Sequence, residues 1–137
     1  VSYAIGAALQ AAVYQHLSSD PALTAIVGDA IYDALPSGKM PDLYVMLGEE
    51  DMRDRSDSSG HGALHFLRVS VVTEVAGFAS AKAAAAVIAD RLCDAELTLE
   101  RGRLIGLWFE RASARRLGTA ARMRRIDLRF RARVEDN

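Results

Sequence analysis

The spacing of hydrophobic positions changes several times along the chain, and each change marks a new element. From Tyr3 to Leu17 apolar residues recur every three or four positions. Ile5, Ala8, Leu9, Ala12, Val13 and Leu17 share one stripe, as in an amphipathic helix capped by Ser2. Ser18, Ser19 and Asp20 end it. Asp20 followed by Pro21 places an N-cap ahead of a proline in the first helical position. A short second helix is therefore predicted through Leu23, Ile26 and Val27, with Gly28 to terminate it.

The period then shortens to two. A short strand from Asp29 to Leu35 centres on Ile31 and Tyr32, and Pro36 and Pro41 bound a loop that cannot join a ladder. The stretch from Asp42 to Met52 is the next strand, with Leu43, Val45 and Leu47 on one face. The polar run from Arg53 to Gly62 reads as a long, charged, mobile hairpin loop. Alternation resumes from Leu64 to Glu74, with Leu67, Val69 and Val71 on one side. Gly77 opens a helix to about Cys93, with a buried stripe of Phe78, Ala81, Ala85, Ile88, Ala89 and Leu92. Leu97 and Leu99 form a short segment.

Arg103 to Ser113 reads as a strand with Ile105, Leu107 and Phe109 inward and Trp108 outward. Arg115 to Ala121 is its hairpin turn, around Gly118. In the last strand Ile126, Leu128, Phe130, Ala132 and Val134 alternate with Arg125, Asp127, Arg129, Arg131 and Arg133. Hairpins joined by short loops imply antiparallel pairing. The expected fold is α+β: one domain over residues 1–137, a four-stranded antiparallel sheet with two main helices on one face, and a long charged hairpin loop.

Composition narrows the function classes. The 137 residues are 50% hydrophobic, enough for one core, and hold no apolar run near the ~18–20 residues of a membrane helix. The N-terminal residues lack a signal-peptide pattern. The single cysteine, Cys93, excludes an intramolecular disulfide, and the expected setting is a reducing compartment with no membrane partner.

The net charge of −1 conceals an asymmetry. Residues 1–100 hold 6 bases and 14 acids, and residues 101–137 hold 11 bases, all arginine, and 4 acids. Such a division points to an interaction surface rather than to a fold.

A search for catalytic chemistry yields little. There is no Gly-x-Ser-x-Gly elbow and no phosphate loop with a Gly-Lys ending, and Gly60-His61-Gly62 is too short to cradle a phosphate. Asp51, Asp54 and Asp57 recur every three residues, but arginines fill the places where a calcium loop needs ligands. His16, His61 and His65 read as structural or surface residues. Cys93 sits beside Asp94 at a helix C-terminus, which opposes thiolate formation. The chain is read as a non-enzyme that needs no cofactor and no metal.

The positive signal is arginine. Arg122, Arg124, Arg125, Arg129, Arg131 and Arg133 crowd into twelve residues. Three readings stand beside one another. They form a solvated strand face; they meet the acidic group Glu49, Glu50, Asp51, Asp54 and Asp57, across the sheet or in a neighbouring copy; or they bind phosphates directly. The interface loop in this reading comprises Glu49, Glu50, Asp51, Arg53, Asp54, Arg55 and Asp57. An RNA-recognition sheet would need paired aromatics in a glycine-flanked strand, a motif this chain lacks.

The segment from Leu17 to Asp33, with its Asp20-Pro21 helix start and its Val27-Gly28 and Ile31-Tyr32 pairs, resembles the opening of the phage tail terminator, or tail completion, family. Leu35 to Gly48 resembles the proline-bounded approach to that family's second strand, although Asp42 and Leu43 intervene between Pro41 and Tyr44. The charged loop, the helix after Gly77 and the basic closing hairpin follow in the family's order. Within the family, the chain is most similar to the member found in the alphaproteobacterial gene transfer agent.

The resemblance implies a structural protein of a phage-like particle. Such a protein forms a ring of six on the end of the tail tube, stops tube growth and offers a surface to the head–tail connector or stopper protein. Double-stranded DNA passes through the centre with transient, non-specific contact. The implied location is the bacterial cytoplasm during assembly and then the head–tail junction. The alternative is a nucleic-acid-binding adaptor that uses the arginine strand on phosphates.

Overall fold

A computed structural model of the chain describes residues 5–54, 61–74, 78–118 and 122–136. Its elements run α1 (Ile5–Ser18), α2 (Pro21–Val27), β1 (Ile31–Tyr32), β2 (Leu43–Asp54), β3 (His61–Thr73), α3 (Ala79–Leu92), β4 (Arg103–Leu117) and β5 (Met123–Asp136). No helix among the described residues is long and apolar enough to cross a membrane.

The helical corner forms as its sequence dictates. Asp20 caps α2, accepting the Leu23 N–H on Oδ2 at 2.9 Å, and Pro21 stands in the first turn, where its missing N–H is harmless. The other carboxylate oxygen of Asp20 accepts Arg91 Nε from the end of α3 at 2.8 Å. His16 Nε2 donates to the Arg91 carbonyl at 2.9 Å. One short stretch thus ties all three helices together.

The strands form one sheet in the order β1-β2-β3-β5-β4. This corrects the expected four-stranded antiparallel sheet. The fifth strand is β1, two residues long and parallel to β2 through Ile31–Val45 and Tyr32–Met46. Residues 33–42, broken by Pro36 and Pro41, are too long and stiff for a tight turn. The chain therefore swings round and enters β2 in the same direction. The remaining pairs are antiparallel.

All three helices lie on one side of the sheet. Ile5, Leu9, Val13 and Leu17 of α1, Leu23 of α2, and Ala81, Ala84, Ile88 and Leu92 of α3 pack with Val45, Val69, Val71, Leu107, Leu128 and Phe130. The alanines of α3 let its backbone approach the sheet closely. Gly102 has φ +75°, and a Cβ there would collide with Ile5 and the Glu135 carbonyl, so only glycine fits this turn into β4.

Three strand boundaries differ from expectation. Arg53 and Asp54 continue β2 and His61 and Gly62 open β3, so the hairpin is longer than its polar sequence suggested; residues 55–60 and Gly77 lie outside the described residues. Similarly, β4 continues to Leu117, because Arg115 and Arg116 keep pairing with Arg125 and Arg124.

The inward face of β4 is also corrected. Leu107 is fully buried, but Ile105 and Phe109 are 47% and 41% exposed. Bulges between Leu104 and Gly106 and between Phe109 and Arg111 break the simple alternation. Phe109 stays opposite Phe130 and meets its ring edge-on at 5.8 Å, but it sits on the edge strand.

Candidate interface on the helix-free sheet face

Alternation along β5 fixes which side chains leave the core. Ile126, Leu128, Phe130, Ala132 and Val134 are buried under the helices, so Arg125, Asp127, Arg129, Arg131 and Arg133 project from the opposite face. Arg124 shares the parity of Ile126. It therefore lies on the helix side, opposite Thr73, with its guanidinium 5.6 Å from the Phe78 ring centre. Arg122 precedes the strand and is exposed, its carbonyl 3.5 Å from Arg124 Nη1. The six arginines expected to act as one group are divided between the two sides of the sheet.

Pairing brings in arginines from other strands. Arg68 of β3 and Arg111 of β4 flank Arg129 in a single row across the sheet, and Arg115 lies opposite Arg125. Like charges facing one another across strands are destabilising. The same face supplies the compensation. Asp127 accepts Ser70 Oγ at 2.6 Å and Arg125 Nε at 2.7 Å, with Arg115 Nη2 at 3.5 Å and Arg68 Nε at 3.9 Å. Arg129 Nε lies 2.9 Å from Glu110 Oε1.

Burial pushes the Asp127 carboxyl upward. The hydrogen bonds from Ser70 and Arg125 and the charges of Arg125 and Arg68 more than reverse this, leaving it below the ordinary carboxylate value.

Aromatic rings on this face take up three guanidinium groups. Arg129 stands 4.6 Å from the centre of the Phe66 ring, and Arg53 5.3 Å from it. Arg131 stands 5.0 Å from the Trp108 ring. A Cβ on Gly106 would run into that indole, so the glycine makes room for the ring to lie flat along the edge strand. Between these groups lies a depression of about 360 Å³ lined by Asp51, Phe66, Arg68, Arg111, Asp127 and Arg129.

The acidic group is likewise divided. A bulge between Gly48 and Glu50 shifts the phase of β2 at Glu49. Glu50 then stands opposite Leu67 on the helix side, while Asp51 and Arg53 face outward opposite Phe66 and Leu64. A Cβ on Gly6 would come within 3.6 Å of both Glu50 carboxylate oxygens and 3.7 Å of Cε1 of the buried His65. Of Asp54 only its strand position is described, and Arg55 and Asp57 fall outside the described residues.

Acids found against the outer arginines include Asp127, Glu110 and Glu135, which holds Arg103 at 3.0 Å, all members of the C-terminal hairpin itself. Their neighbours Arg68, Arg111, Arg115, Phe66 and Trp108 join this face from other strands and lie outside the arginine group that periodicity alone marks. Strand parity marks Arg68 as outward, but the row it joins depends on register. Among the described residues, no cluster of three His, Cys, Asp or Glu side chains is placed to hold a metal ion.

The likenesses to known proteins extend over the whole fold. Among solved structures, the chain is similar to one in the virion of a native gene transfer agent particle. The two share 60% sequence identity, with a TM-score of 0.93 over 98% of this chain and 99% of that one. No curated protein matches. The profile of the family described as tail completion protein gp17 matches residues 11–135, from within α1 to one residue short of the end of β5. By that match the chain is a member of the tail completion protein gp17 family.

Proposed function

We propose that this chain completes the tail of a phage-like particle. Copies close into a ring of six on the end of the finished tail tube, stop its growth and present a docking surface to the head–tail connector or stopper protein. The protein works in the bacterial cytoplasm during assembly and thereafter at the head–tail junction. The observation that carries this reading is full-length similarity, at 60% identity, to a chain of a gene transfer agent virion. The charge division of the chain supports it, since a head-to-tail contact closes a ring when its rotation divides the circle.

The helix-free face serves the DNA path. Arg125, Arg129, Arg131 and Arg133 stand on it, and several of their guanidinium groups already lie against Asp127, Glu110, Phe66 and Trp108. A face neutralised from within attracts passing phosphates weakly and lets them go. Its association with DNA is weak, steeply salt-dependent and indifferent to sequence.

The test is the double variant Arg129→Glu with Arg131→Glu. Both side chains leave the sheet away from the core, so the subunit folds. Electron microscopy of particles carrying the variant should show overlong or headless tails. Normal particles would remove the assembly role from this face.

The second reading, a nucleic-acid adaptor, draws on the aromatic rings Phe66 and Trp108 set among the arginines. Tight, sequence-specific DNA binding by the isolated subunit would favour it.

A further inference from the structure

The two borders of the sheet carry opposite charge. On one border, β1 pairs only through Ile31 and Tyr32 with Val45 and Met46. From Leu47 to Asp54, β2 therefore has no outer neighbour among the described residues. Residues 29–54 hold seven acids against two bases, and Asp29, Asp33, Asp42, Glu50 and Asp51 are exposed. On the other border, β4 runs for 15 residues with a strand on one side only; the Asp94 N–H already bonds the Leu107 carbonyl at 2.7 Å, so the open edge is the stretch from Phe109 to Leu117. The strand carries Arg103, Arg111, Arg115 and Arg116 against Glu110 and leaves Ile105 and Phe109 exposed.

A long uncovered edge invites strand pairing, and charge of one sign is a common guard against it. Here the guard is selective. Two β4 edges would set arginine against arginine, and two β2 edges acid against acid, both unfavourable across strands. A β4 edge against a β2 edge sets base against acid.

The directions also agree. β4 is antiparallel to β5, β5 to β3 and β3 to β2, so β4 and β2 run opposite ways. A second copy brought alongside with its sheet facing the same way therefore meets the first as an antiparallel pair.

We infer that copies of this chain join edge to edge, the basic β4 border of one against the acidic β2 border of the next. The inference rests on the ring reading above and specifies its contact. It makes the association heterologous, as ring closure requires. It covers Phe109, and it sets the helix-free faces of successive copies side by side, so that their arginines form one belt.

Two variants test it: Arg111→Glu with Arg116→Glu on the basic border, and Asp33→Arg with Asp51→Arg on the acidic one. Circular dichroism confirms that each folds. Native mass spectrometry and sedimentation, in solution and on isolated tail tubes, should show wild-type rings and neither variant alone assembling. Mixing the variants one to one should restore rings in which they alternate, because each reversed border then meets its complement. Outward amides of residues 47–54 and 109–117 should exchange at least about tenfold more slowly in rings than in free subunits.

Rings from either variant alone, or amides that exchange equally fast in rings, would overturn the edge contact and leave the ring standing. A wild-type chain that stays monomeric both in solution and on tube ends would refute ring and contact together.

Discussion

Replacing Asp127 with asparagine keeps the shape of the side chain and removes its charge. In the native protein that charge holds Arg125 at 2.7 Å and lies near Arg115 and Arg68, while the Ser70 hydroxyl donates to the same oxygen at 2.6 Å. The amide oxygen can still accept from Ser70. What is lost is one well-formed charge-assisted bond and the screening of three neighbouring guanidinium groups.

A hydrogen bond to a charged partner contributes roughly 1.5–3 kcal/mol, and the Asp127 side chain is only 14% exposed, so a loss of about 2 kcal/mol is expected at neutral pH. With a urea slope of about 2 kcal/mol per molar, the midpoint falls by about 1 M.

The pH dependence carries a definite sign. The folded carboxyl titrates below its unfolded value of about 3.9, so its contribution is complete above that value and disappears as pH falls through the folded one. Urea melts of wild type and Asp127→Asn from pH 7 downward should show the gap constant to about pH 5 and closing below about pH 4. A gap as wide at pH 2.5 as at pH 7 would mean that packing, not charge, sets the effect, and the electrostatic account of this face would fail.

Other expectations follow from the packing. Phe130→Ala, at a fully buried site, should destabilise by about 3–5 kcal/mol in the same urea assay. Gly106→Val should push the Trp108 indole off the strand, and since Trp108 is the only tryptophan, its fluorescence should report the displacement directly. Gly102→Ala, at φ +75° against Ile5, should destabilise by more than about 1 kcal/mol, read as a lowered melting temperature. Asp20→Ala removes both the α2 cap and the Arg91 contact and should cost about 1–2 kcal/mol, with amide exchange quickened first at Leu23.

What could be read from the sequence was whatever a single period determines. The alternation from Ile126 to Val134 placed the core side of β5 correctly, and the Asp20-Pro21 pair placed the start of α2. The same alternation failed in β4, where two bulges shift its phase and burial depends on how far the helices reach over the edge. Grouping Arg124 with Arg125 ignored a parity that was already visible in the sequence. The meeting of Arg68, Arg111 and Arg129 is different in kind: three strands distant in sequence must be set in register before those residues become neighbours, and a lone sequence does not encode register in any local signal.

The helices occupy one side of the sheet and the apolar core ends there. Folding therefore makes fewer demands on the opposite side, where exposed positions such as Arg111, Arg129 and Arg131 can be exchanged at surface rather than core expense, while Asp127 with its buried partner Ser70 stays fixed. Those exposed positions can be revised piecemeal while Phe130, Leu107 and the alanines of α3 stay fixed. The same division recommends the scaffold to an engineer: a borrowed set of outward residues could be installed on β3, β5 and β4 without repacking what lies beneath.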